Sequence, residues 1–155
     1  MDLSHLTTNN WVSLGGKPIE DIKKRIKKRF DSGKFTFHVG TDSKSYLDHT
    51  IITTTICFRE AGSGALVAYQ RNKINNFNNI TDRLLHETLV SLEAAQMVLE
   101  ITGNSPTIHA DVNSKKSALS NRMLNVIVGM EQGKGFLMKV EPEDCVDDIE
   151  AIYTS

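Results

Sequence analysis

The chain has 155 residues, 39 % of them hydrophobic and 24 % charged, with a formal net charge of −1. That length suits one domain with a core large enough to dispense with disulfide or metal staples, and no stretch approaches the roughly 18 consecutive apolar residues of a membrane span. The opening Met1-Asp2-Leu3-Ser4-His5 lacks the basic and apolar regions of a secretory signal, so a cytoplasmic protein is expected.

Residues 1–18 read as an arm, with Trp11 and Leu14 as docking points. Pro18 then stands where a helix would open, and Ile19, Ile22, Ile26 and Phe30 recur at the spacing of an amphipathic stripe. The opposite face is Lys23, Lys24, Arg25, Lys27, Lys28 and Arg29. Clustered cations of this kind either release counterions from a nucleic-acid backbone or form an ordinary solvated face. Ser32-Gly33 ends this helix.

Three runs rich in β-branched and aromatic residues follow, over 35–41, 49–58 and 65–70. The links at 46–48 and 61–64 are short, so the runs form an antiparallel meander. Residues 72–79 are asparagine-rich and feed a long helix, capped by Asn79 or Thr81 and reaching about Ile101, where Gly103-Asn104 stops it. Pro106 opens a fourth strand over 107–110, a helix pattern covers 117–131, a fifth strand covers 136–140, and a last helix covers 144–153. The order βββαβαβα predicts an α/β fold: a five-stranded mixed sheet with helices on its faces, plus the N-terminal amphipathic helix. The whole chain is read as one domain, with 1–34 as arm and basic helix and 35–155 as core. Cys57 and Cys145 make neither a disulfide framework nor a zinc motif and are expected to be thiols in or near the core. An exposed edge on the third strand would be one route to a homo-oligomer.

In such sheets ligands collect at the carboxyl ends of parallel strands. Asp42 and Asp111 both follow strands, Asp42 in a turn preceded by glycine, and they stand side by side if the first and fourth strands are neighbours. The long helix adds Glu87. Glu93 lies six residues farther on, hence about 120° around the helix, and is assigned to the surface or a sheet edge. Converging carboxylates with water and substrate phosphate suit Mg2+ or Mn2+, and two such ions serve phosphodiester displacement without a serine, cysteine or histidine nucleophile. His38, His86 and His109 raise a zinc hydrolase as an alternative, but no paired-histidine spacing accompanies them. Lys44, Lys115 and Lys116 follow the two aspartates and are candidates for phosphate contact.

Val39-Gly40-Thr41-Asp42-Ser43-Lys44, His86-Glu87-Thr88, Ile108-His109-Ala110-Asp111 and the run 135–142, taken in order and spacing, resemble the ribonuclease H-like superfold. More narrowly they are similar to a small bacterial ribonuclease H-like family that includes the YkuK-type proteins. The resemblance spans about residues 19–155. It implies a divalent-metal-dependent nuclease with Asp42, Glu87 and Asp111 as the first three acidic ligands and a fourth on the last helix. There the chain departs from the family, with Ala151 and Ile152 where the acid is expected. Asp147, Asp148 and Glu150 are near substitutes, and Asp148 is preferred. The departure keeps open a non-catalytic module that binds nucleic acid or supports an assembly, and a phosphohydrolase of small nucleotides.

Overall fold

The computed structural model describes residues 6–7, 10–33, 35–60, 65–109 and 137–139. Within them runs a mixed sheet of six strands: β1 (Trp11–Ser13), β2 (Phe35–Ser45), β3 (Thr50–Glu60), β4 (Ala65–Ile74), β5 (Thr107–His109) and β6 (Leu137–Lys139), in the spatial order β1-β4-β3-β2-β5-β6. β2, β3 and β4 form the expected antiparallel meander, while β5 joins β2 in parallel and β6 joins β5 in parallel. The first and fourth strands of the sequence reading are therefore neighbours. The expected helices over 117–131 and 144–153 lie outside the described residues, as do Asp111, Lys115, Lys116 and Asp148.

Two helices are described, α1 (Ile22–Ser32) and α2 (Ile80–Thr102). Helix α1 does not begin at Pro18. Pro18 bridges to Val12, and Asp21 caps the helix by accepting the Lys24 N–H at 3.2 Å, because an aspartate in extended backbone satisfies an otherwise unpaired first-turn donor. Asn79 caps α2 in the same way, accepting the Asp82 N–H at 2.8 Å. At the other end Gly103 adopts a left-handed conformation (φ 73°) and donates to Leu99 O, the role for which glycine is suited.

The arm contributes β1, which pairs with β4 over Ala68 to Gln70. The third strand of the meander is thus no free edge along that segment. Trp11 is buried from this position and its indole N–H donates to Thr7 O at 2.7 Å. Three residues are too few to show a period of two, so the sequence marks the docking residue but not the strand.

Both faces of the sheet carry buried side chains. On one, Ile22 and Ile26 of α1 and Leu92, Ala95 and Val98 of α2 share a core with Val39, Ile56 and Ile108. On the other, Thr53, Thr55, Cys57, Val67 and Tyr69 are buried. Cys57 is disulfide-bonded rather than the thiol expected from the sequence; Cys145 lies outside the described residues. Among the described residues no helix is long and apolar enough to cross a membrane.

Candidate functional site

Strand alternation sorts the candidate residues. Successive side chains of a strand point to opposite faces, and β2 pairs with β3 without interruption from Phe35↔Glu60 to Ser45↔Thr50. Asp42 is therefore inside a strand, paired with Thr53, and not in a turn: the ladder carries the chain three residues past it despite the turn-like composition Asp42-Ser43-Lys44. Val39, Thr41 and Ser43 face α2. His38, Gly40, Asp42 and Lys44 face the other way.

The contacts agree with this division. Ser91 on α2 donates to Thr41 Oγ1 at 2.8 Å, and Ser43 Oγ donates to Glu87 Oε2 at 2.5 Å. Glu87 is only 9 % exposed, and Arg83, one turn earlier on α2, brings its Nε to 3.7 Å from the same oxygen. A carboxylate taken out of water needs such partners to offset its lost hydration. Sequence reading selected Glu87 but missed Ser43 and Arg83; the i, i+4 spacing of Arg83 and Glu87 was the available signal. Glu93 lies farther along α2, half-buried.

On the opposite face the two histidines meet. His109 is paired with Gly40, which contributes no side chain there, and His109 Nε2 lies 3.0 Å from His38 Nδ1. His38 Nε2 lies 3.0 Å from Thr36 Oγ1, which donates to Arg59 O at 3.3 Å. With that hydroxyl proton spent on the carbonyl, a neutral His38 donates through Nε2 to Thr36 and accepts through Nδ1 from His109. The shared parity of His38 with Asp42, and of His109 with Asp111, was readable from the sequence; the chain of bonds needed the register. His86 does not join them, its ring lying 5.3 Å from that of Phe77. Lys44 is half-buried, with Nζ 5.8 Å from the centre of the Tyr46 ring.

Glu87 and Asp42 thus come from adjacent stretches, Glu87 touching the residue after Asp42, but stand toward different faces of β2. Among the described residues no three His, Cys, Asp or Glu side chains gather as metal ligands. In chemistry the set Asp42, Glu87, Asp111 and Asp148 fits a hard cation, since all its donors are carboxylate oxygens; in placement, its described half is divided by the strand.

Compared with known protein families, residues 17–151 match the model described as Ribonuclease H-like. No curated protein and no solved structure matches the chain.

Proposed function

The chain belongs to the ribonuclease H-like family, and from that premise we propose that it is a divalent-metal-dependent nuclease acting on phosphodiester bonds of nucleic acid. The observation that carries the reading is Glu87, a buried carboxylate on α2 held by a hydroxyl of β2 directly beside Asp42. Asp42, Glu87, Asp111 and Asp148 are the residues proposed to hold Mg2+ or Mn2+. When bound, such ions supply an activated water and neutralise charge on the attacked phosphate. The chain's own part is positioning: Ser43 and Arg83 fix the Glu87 oxygens, and Lys44, with Lys115 and Lys116, contacts phosphates. The exposed lysines of α1 add a non-specific hold on the backbone.

Replacing Asp42 with Asn tests this directly. Metal-dependent cleavage of single-stranded, hybrid and branched oligonucleotides should fall at least about a hundred-fold, the loss usual when one transition-state-stabilising donor is removed, while the thermal unfolding of the protein stays cooperative. An unchanged rate removes Asp42 from the mechanism.

The division of Asp42 and Glu87 between two faces favours a second reading, a non-catalytic nucleic-acid-binding or assembly module that keeps the fold. Saturable nucleic-acid binding with neither Mn2+ affinity nor cleavage would select it.

A further inference from the structure

The link between β2 and β3 is a hairpin turn whose tip is unusual. Ser45 and Thr50 are its last paired residues, and the Tyr46 N–H donates to His49 O at 2.7 Å. Leu47 and Asp48 occupy the tip, and Leu47 is 100 % exposed. Two-residue hairpin turns that match strand twist need a positive φ at one or both central positions, which is why they favour glycine and asparagine. Neither Leu47 nor Asp48 has one. Local chemistry therefore closes this turn poorly, and support comes from elsewhere.

That support is Asn76, in the segment before α2. Its Nδ2 donates to Tyr46 O at 2.9 Å and Leu47 O at 3.2 Å, and its Oδ1 accepts from the buried Thr50 hydroxyl at 2.6 Å. Because Thr50 spends its proton on Asn76, Ser45 is the donor in the 2.9 Å bond between the two hydroxyls. The rings of Tyr46 and His49 stack at 4.9 Å and 16°, and Asp48 Oδ1 bonds His49 Nδ1 at 2.6 Å. The structure thus braces the turn and displays from it a fully exposed leucine side chain. Tyr46, 41 % exposed, lies beside it, with the Lys44 ammonium 5.8 Å from its ring.

We infer that this tip is a base-contacting surface: Leu47 and the exposed edge of Tyr46 take an unpaired base, while Lys44 takes an adjacent phosphate. The inference rests on the nucleic-acid reading above and deepens it, since it names an unpaired segment as the preferred ligand. Rigid apolar and aromatic groups next to a cation suit a splayed base, whose flat face is open only outside a duplex. Bracing in advance lowers the ordering cost of the contact. Tyr46 lies three residues beyond Ser43, about 10 Å at roughly 3.4 Å per strand residue.

The test uses the full chain in the presence of EDTA, so that binding is read without cleavage. Single-stranded oligonucleotides carrying 2-aminopurine at successive positions, and a blunt duplex of the same length, are titrated with wild type, Leu47→Ser and Tyr46→Ala. Neither side chain belongs to the core, so both variants keep the wild-type unfolding transition. Each should bind the single strand roughly five- to a hundred-fold more weakly, the range for losing one stacked base, with the fluorescence change lost at one or two adjacent positions. Duplex affinity should move less than about two-fold. Wild-type affinity of both variants for the single strand would overturn the inference alone. Absence of nucleic-acid binding by wild type would overturn the underlying reading as well.

Discussion

The two faces of β2 solve different problems with the same eleven residues. The face toward α2 is mostly apolar low on the strand, at Phe37 and Val39, and turns to hydroxyls higher up, where Thr41 and Ser43 meet Ser91 and Glu87. The face away from α2 carries groups that ionise or exchange protons: His38, Asp42 and Lys44, with His109 across from Gly40. A strand with side chains on both sides offers two sites at one height, and the two acids proposed as ligands, Asp42 and Glu87, are shared between them. Whether they act as one site is a question about coupling between faces, which mutation pairs can measure.

The largest effect is expected from Asp42→Asn and Glu87→Gln, made singly and together and assayed by Mn2+ titration. Each single change should weaken Mn2+ binding at least about ten-fold, or roughly 1.4 kcal/mol. Two ligands of one ion should then show an interaction energy of about 0.5–3 kcal/mol in the double variant. Strict additivity, within about 0.5 kcal/mol, would mean that the faces bind separately, and the nuclease reading would lose its shared site.

That division was only partly legible in the sequence. The β-branched run of β3 and the long apolar pattern of α2 placed those elements, and Asn79 marked the start of α2, because periodicity and caps are local signals. Asp42 was expected in a turn, since Asp-Ser-Lys favours one. Pairing with Thr50 to Thr53 overrode that preference, and with it came the alternation that sets Asp42 apart from Glu87. The same limit hid Ser43 as a partner of Glu87, and the bracing of Leu47 by Asn76, a residue 29 positions away. Pro18 was misleading for a related reason: its fixed φ suits a helix start but equally suits the bridge to Val12 that it makes.

A smaller effect separates the faces by role. Ser43→Ala removes a donor from a buried carboxylate and His109→Ala removes the donor to His38, so each should cost about 1–3 kcal/mol of stability in urea unfolding. Only Ser43→Ala should also weaken Mn2+ binding, by about ten-fold, because a hydroxyl that orients a ligand tunes the ion through it. Equal loss of Mn2+ affinity in His109→Ala would put the histidine pair in the metal site and reverse the assignment of the two faces.

The smallest change in stability concerns the outer layer on the α2 side, and it is opposite in sign to the change in binding. Helix α1 places like charges at i, i+4 in Lys23/Lys27, Lys24/Lys28 and Arg25/Arg29, and beyond the Asp21 cap its first turn has no acidic residue. Lys27 finds Asp31 at 3.0 Å, but both are exposed, so the bond offsets little. Each like-charge pair costs about 0.2–0.5 kcal/mol. The helix keeps its place through Ile22 and Ile26, fully buried, rather than through its surface. Lys23→Ala/Lys24→Ala/Lys28→Ala removes two of the three repulsions and should stabilise the protein by about 0.4–1 kcal/mol in urea unfolding. If α1 holds a nucleic-acid backbone, the same variant should flatten the salt dependence of single-strand binding by up to about 2 in log–log slope, while Lys44→Ala flattens it by less than about 1. A gain in stability with an unchanged slope would make α1 a solvated surface and leave the strand to run past Lys44, on the Asp42 side of β2. A gain in stability with a flattened slope would mean that the charge on α1 is kept at the expense of the fold for the sake of the ligand.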